Sequence, residues 1–288
     1  MNREELLTKY KDPIKVLDYG HVILVDVMGD DFAIEDAARI SYQRGTRKTS
    51  DTRGLLRYLL RHRHTTPFEC CSLKVGVKLP IFVERQWARH RTAKWNELSG
   101  RYSELPEEVY LPDRDQVCFQ DKKNKQGRAE AFNEADADRC RMEMREETKG
   151  AFALYRSFIA QGMAKETARI HLPFGTYTEK IWTQDLHNLL HFSKLRLDAH
   201  AQYEIRVYAE AIASILKAWV PLTWEAFEDF QLYAHTFSRQ EMISLRSALQ
   251  DIVGSAGKAT VCARFNTEGL SAREIDAFFE ALGLAEDP

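Results

Sequence analysis

Apolar side chains recur along this chain at several different spacings, and each spacing predicts a different element. Residues 21–28 (HVILVDVM) are an almost unbroken apolar run closed by the turn-forming Gly29-Asp30-Asp31, which reads as a buried strand. A short helix follows over 33–40. Leu55, Leu56, Leu59 and Leu60 then recur at helical spacing behind Ser50, read as the N-cap of a helix with those leucines facing inward. Pro67 biases Thr66 toward extended geometry. Beyond it, Leu73, Val75, Val77 and Leu79 alternate with Ser72, Lys74, Gly76 and Lys78, which predicts a half-buried strand over 68–79. That alternation sends Cys70 and Cys71 to opposite faces. Pro80 suits the first turn of a helix running to about residue 92.

The second half is more helical. The stretch 128–162 is charged and helix-prone, 164–171 reads as a short helix stopped by Pro173, and 176–182 reads as a strand. Residues 183–220 contain neither Gly nor Pro, so one or two long helices are expected there, closed by Pro221. Ser271-x-x-Glu274 is a capping-box signature ahead of an apolar run that ends near Gly283. There is no internal repeat and no regular βαβ period. The expected fold is therefore one mixed α+β domain with a helical appendage after about residue 231.

Composition adds limits. In 288 residues the hydrophobic fraction is 44% and the charged fraction 29%, as in a globular chain and unlike a disordered one. Lys and Arg number 41 against 43 Asp and Glu, a balance that argues against binding nucleic acid by bulk charge. Five cysteines, with no CxxC pair and no zinc spacing, fit a reducing compartment. The start, Met1-Asn2-Arg3-Glu4-Glu5, has no stretch like a signal peptide, and no run of eighteen apolar residues occurs. The expected location is the cytoplasm, with no membrane partner.

Missing motifs narrow the chemistry. There is no G-x-G-x-x-G, no G-x-x-x-x-G-K, no G-x-S-x-G and no H-E-x-x-H. Any phosphate-bearing ligand must then be held mainly by side chains. The densest polar constellation is Gln86-Trp87-Ala88-Arg89-His90-Arg91, followed by Asn96-Glu97-Leu98-Ser99-Gly100-Arg101-Tyr102-Ser103. On a continuous helix Gln86, Arg89 and His90 would share one face. Arg89, Arg91 and Arg101 could fork onto phosphate oxygens. The plainer reading is a solvated basic helix and loop, and the crowding of donors, acceptors and a small residue over 97–102 speaks against it.

Arg89-His90-Arg91, seven residues and then Ser99 is the RHR-x7-S motif of the flavin-dependent thymidylate synthases. Arg61-His62-Arg63 is a decoy, since seven residues later it meets Cys71. The resemblance extends over roughly residues 15–230 through Ala37-Ala38-Arg39-Ile40-Ser41, His64-Thr65-Thr66-Pro67-Phe68-Glu69, Ala168-Arg169-Ile170-His171-Leu172-Pro173 and Leu195-Arg196-Leu197-Asp198-Ala199-His200-Ala201-Gln202.

The resemblance implies dTMP synthesis from dUMP, with 5,10-methylenetetrahydrofolate as carbon donor, FAD as redox cofactor and NADPH as reductant. It also implies a catalytic domain over 1–230 with a central mixed sheet, flanking helices and long C-terminal helices. A homotetramer with shared active sites and a helical extension over 231–288 complete the picture. By position, Gln86, Trp87, Ala88, Arg89, Glu97, Leu98, Ser99, Gly100, Arg101, Arg169 and Arg196 fall in the dUMP set. Arg196 resembles the catalytic arginine that polarises uracil at its N3 side. Ser41, His64, Thr66, Glu69, Arg89, His90, Arg91, Glu97, Asp185, His187 and His191 fall at positions of the flavin pocket. Many family members have Asn-x-Arg-x-x-x-Asn where this chain has Asp185, His187 and His191.

Uracil C5 must become nucleophilic before it accepts a one-carbon unit. Nothing marks an activated cysteine, and Cys70 and Cys71 read as strand packing. An arginine stabilising negative charge on the ring is the other route, with Ser99 a nucleotide ligand. Two rival readings come from other classes. His187 and His191, with Asp198 and His200 near in sequence, could serve a metal-dependent helical hydrolase. The basic residues Arg44, Arg47, Lys48, Arg53, Arg57, Arg61 and Arg63 could serve a nucleic-acid-binding module, against the near-zero net charge. No resident metal and no nucleic-acid partner are expected.

Overall fold

The computed structural model describes residues 1–41, 51–256 and 258–284. They form two units, Met1–Leu232 and Tyr233–Pro288. The first is built on a five-stranded sheet ordered β1-β2-β3-β7-β4, with β1 at Ile14–Val16, β2 at Gly20–Met28, β3 at Ser72–Pro80, β4 at Lys94–Glu97 and β7 at Tyr177–Asp185. Every pairing is antiparallel, so the expected mixed sheet is replaced by an antiparallel one within the expected α+β class. β3 is central, as its alternation requires: Leu73, Val75, Val77 and Leu79 are all buried.

Before β2 lies α1 (Arg3–Lys9), and after it α2 (Asp31–Arg39), which Asp30 caps by accepting from the Phe32 and Ala33 amides. Between them Gly29 takes φ +80, and a Cβ there would stand 2.4 Å from Cys71 Sγ, so no larger residue fits the turn. The leucine helix is α3 (Thr52–Arg61), with Leu56, Leu59 and Leu60 buried. Asp51 is its N-cap; Ser50, like Arg44, Arg47 and Lys48, lies outside the described residues.

Several boundaries differ from the sequence expectation. Thr66 opens a single helical turn, α4 (Thr66–Glu69), and is not extended. Pro67 is tolerated there because N–H groups of a first helical turn have no helical acceptor. The strand expected from residue 68 therefore begins at Ser72, with Cys70 exposed and Cys71 buried just before it. The helix expected to reach residue 92 stops at Trp87, giving α5 (Ile81–Trp87). Trp87 is 1% exposed, edge-on to Trp182 at 5.3 Å and tilted on Phe192 at 4.9 Å. Next, the His90 amide bonds back to the Trp87 carbonyl at 2.9 Å. Gln86, Arg89 and His90 consequently do not share a helical face.

Strands β5 (Cys118–Gln120) and β6 (Arg128–Ala131) form a separate hairpin ahead of the long α6 (Glu134–Ala160). A one-turn α7 (Lys165–Ala168) runs into a 3₁₀ turn, Arg169–His171. The helical span expected from residue 183 starts later, because β7 continues to Asp185. It then divides into α8 (Leu186–Arg196) and α9 (Tyr203–Trp219). Pro221 opens a further helix, α10 (Pro221–Phe227), at a position that suits its fixed φ. The second unit holds α11 (Arg239–Ala256), α12 (Lys258–Cys262) and α13 (Ala272–Leu282) around Val261, Leu282 and Leu284. Its capping box forms as spaced, Ser271 with Glu274, and Gly283 ends α13 at φ +75.

Candidate functional site

The turn after α5 folds His90 beneath the end of α8. Arg196 Nε donates to His90 Nε2 at 3.1 Å, and Arg196 Nη2 donates to the Gln86 carbonyl at 3.1 Å. A guanidinium only donates, so His90 Nε2 must be an unprotonated acceptor. Burial first, then Arg196, His191 and Lys180, push the His90 pKa down from 6.5 to about 4. His90 is 8% exposed and packs edge-on against Phe192 at 4.8 Å. Arg196, half-buried, is thus aimed by two acceptors, while its Nη1 has no protein partner among the described residues.

Below this turn sits a buried ion pair. Lys180, on β7, bonds Glu84 of α5 with side chains 1% and 7% exposed, and its Nζ lies 4.4 Å from the Trp87 ring centroid. Burial drives Lys180 down and Glu84 up, each opposed by the other's charge. Glu97 ends β4 opposite Lys180 and accepts from Thr178 Oγ1 at 2.8 Å. The Leu98 amide bonds the Glu179 carbonyl at 2.8 Å. The chain then turns: Ser99 O accepts from the Tyr102 amide at 3.0 Å, and Ser99 Oγ from the Arg101 amide at 3.3 Å. Gly100 is buried against Arg169, where a Cβ would come within 3.1 Å of Arg169 Cδ and Nη1. Arg101 pairs with Glu166 at 2.9 Å, both more than half exposed, a contact worth little in stability.

Two clusters of motif residues therefore form, Gln86–His90–Arg196 and Ser99–Gly100–Arg101–Arg169, with β4 running between them. The Trp87 ring belongs to the core and is closed to a ligand, which leaves only its main chain to face one. Ala88 is the C-cap of α5. Arg89 and Arg91 are exposed, with no hydrogen-bond or ion-pair partner for either side chain among the described residues. The expected flavin residues spread wider. His64, Thr66 and Glu69 are exposed at α4, which packs on α8. On α8, His191 is exposed with its ring 6.1 Å from that of His90, and His187 is half-buried. Asp185 is engaged as the α8 N-cap, accepting from the Asn188 amide at 2.9 Å and from Asn188 Nδ2. Ser41 is exposed at the end of α2. Gln202, Glu204, Lys180, Glu84 and Thr178 join these contacts without a sequence signal, except that Gln202 lies at the end of the 195–202 motif block.

Cys71 is a poor nucleophile for this site. Burial foremost pushes the Cys71 thiol up to about 12, and Cys70 Sγ donates to the Thr66 carbonyl at 3.7 Å. Nor do His187 and His191 meet a third ligand: among the described residues no three His, Cys, Asp or Glu side chains converge as a metal site. A cavity of about 600 Å³ lies between Asp18, Tyr110 and Arg145, and one of about 360 Å³ lies between the β5–β6 hairpin and Gln202. The Arg89–Arg91 turn lines neither. Among the described residues no helix is long and apolar enough to cross a membrane.

Residues 23–222 match the model of the thymidylate synthase complementing protein family. The chain is 53% identical over 229 residues to a flavin-dependent thymidylate synthase of Gluconobacter oxydans, covering 78% of this chain and 76% of the relative. It is 48% identical over 272 residues to one of Ruegeria pomeroyi, covering 93% and 87%. Among solved structures it is similar to a UMP/dUMP methylase, PolB, from Streptomyces cacaoi bound with 5-Br UMP. That likeness has a TM-score of 0.70 at 34% identity, over 76% of this chain and 98% of that one.

Proposed function

The chain belongs to the flavin-dependent thymidylate synthase family, and from that membership we propose that it makes dTMP from dUMP. 5,10-Methylenetetrahydrofolate gives the carbon, FAD is the redox cofactor and NADPH the reductant. One observation carries the reading at this chain's own residues. Arg196 is held by His90 Nε2 and the Gln86 carbonyl with further donors left over, as a group meant to stabilise charge on a pyrimidine ring would be. With Cys71 held as a buried thiol, electrostatic activation of uracil is the route these residues support.

In this reading Gln86, Arg89, Glu97, Ser99, Gly100, Arg101, Arg169 and Arg196 hold dUMP, and Ala88 and Leu98 contribute main chain. Gly100 lets the backbone approach Arg169, whose guanidinium offers a forked donor to phosphate. The donor set suits FAD. Arg89 and Arg91 are exposed cations without hydrogen-bond or ion-pair partners among the described residues, as a pyrophosphate without a glycine loop requires. In this reading His64, Thr66, Glu69, His187, His191 and Ser41 contribute further flavin contacts, and Asp185 supports them by capping α8. FAD supplies the electrons that turn the transferred carbon into a methyl group. His90 stays neutral at physiological pH and orients Arg196.

We assign catalysis to residues 1–230 and treat 231–288 as an extension; the family match ends at residue 222. Motif residues on open surface, beside exposed Tyr102 (80%), Ile170 (78%) and Phe174 (62%), support active sites shared in a homotetramer. Five free cysteines support a cytoplasmic location. The test is a visible spectrum of the purified protein, then addition of NADPH, 5,10-methylenetetrahydrofolate and either dUMP or UMP. Flavin absorbance and dTMP are expected; a protein that cannot be loaded with FAD and forms no dTMP refutes the reading.

A further inference from the structure

The side-chain amide of Gln86 has a donor end and an acceptor end, and a chain of contacts behind it decides which faces outward. Glu204, in the first turn of α9, is 2% exposed. Its carboxylate receives Arg128 Nη2 at 2.5 and 2.6 Å, the Tyr110 hydroxyl at 3.1 Å and Gln202 Nε2 at 2.9 Å. Burial, reinforced by Glu204, pushes the Tyr110 hydroxyl well above its ordinary range, so it remains a donor. An ionised carboxylate only accepts. Gln202 must therefore turn its NH₂ toward Glu204 and its oxygen away, where that oxygen accepts from Gln86 Nε2. Reversing Gln202 would set its carbonyl oxygen against the carboxylate and two N–H donors against each other. Gln86 is left with Oε1 unpartnered among the described residues, while Arg196 pins its main-chain carbonyl.

We propose that Arg128, Glu204 and Gln202 are positioning residues that hold the Gln86 amide with its carbonyl oxygen toward a donor N–H or O–H of the bound pyrimidine nucleotide. The proposal rests on the assignment of Gln86 to dUMP. Arg128, on the β5–β6 hairpin, forms an ion pair with the buried Glu204 carboxylate, offsetting the cost of burying that charge. The hairpin is thereby tied to substrate binding through three side chains.

The test compares Gln202→Leu, Glu204→Gln and the double variant Gln202→Glu/Glu204→Gln in the FAD-loaded enzyme, by equilibrium dialysis of dUMP and by steady-state kinetics. Each single variant is expected to raise Kd and KM for dUMP about tenfold, the effect of one lost hydrogen bond, with kcat within about twofold. The double variant restores a fixed acceptor at position 202, served by an amide donor at 204, and is expected to return Kd to within about threefold of wild type. A purely structural role would lower melting temperature and kcat together and make the double variant worse than either single. Should Glu204→Gln fail to fold for want of an Arg128 partner, Gln202→Leu leaves that ion pair intact and carries the test. Unchanged Kd in the folded single variants, or a double variant no better than they are, overturns the proposal. Wild-type turnover of dUMP in the same series shows that the relay alone has failed; its absence overturns the reaction and the relay together.

Discussion

His90→Gln keeps an acceptor facing Arg196 but removes a group that titrates, which makes the buried histidine's contribution measurable. In the folded chain His90 takes a proton only near pH 4, against an ordinary 6.5. Between those values the unfolded chain binds the proton and the folded chain does not, so stability falls as pH drops from 6.5 to 4 and rises again with pH. The gap corresponds to about 3 kcal/mol once pH is below both values, and to about 2 kcal/mol at pH 5. At 8% exposure the ring is screened little by solvent. The assay is urea unfolding followed by tryptophan fluorescence, at one protein concentration, at pH 8 and pH 5. Carboxylates elsewhere contribute to both proteins alike and drop out of the comparison. Wild type should lose about 2 kcal/mol more than His90→Gln over that interval. Equal losses, or a His90 ring resonance that titrates near its ordinary value, would refute both the neutral acceptor and the account of how Arg196 is aimed.

Gly100→Ala sets a methyl group within 3.1 Å of Arg169 and 3.2 Å of Leu105 Cδ1. KM for dUMP should rise about fivefold as Arg169 is displaced, with less than about 1 kcal/mol lost in stability by calorimetry. Lys180→Met strands Glu84 in the core and should cost about 3 kcal/mol in urea unfolding. Adding Glu84→Leu should recover most of that loss; no recovery would show that the pair matters for its packing and not its charge. Arg196→Ala should abolish dTMP formation, whereas Cys70→Ala and Cys71→Ala should keep most of it. Loss of turnover in either folded cysteine variant would reopen a covalent route.

Elements whose faces repeat are legible in the order of residues alone. The alternation of β3 and the leucine stripe of α3 each meet one continuous core surface, so local spacing reports the contact. The same holds for the capping box of α13, whose partners lie three residues apart. The apolar run of β2, expected to be buried, covers only alternate positions and leaves Val25 and Met28 exposed. The RHR-x7-S motif and its companion blocks were legible because each is a run of specific residues at fixed spacing. Tertiary structure decided the rest. The helix expected past residue 90 stops at Trp87 because Trp182 and Phe192, about a hundred residues away in the chain, receive that ring. β4 (KWNE) has no apolar alternation and is exposed throughout, since an edge strand is held by main-chain bonds to β7 and needs no covered face. Arg196 meets His90 across 106 residues, and Gln86 meets Gln202 across 116. Hydrogen bonds over such separations leave no periodic trace, because each depends on two turns of chain being delivered to one place by the packing of everything between them.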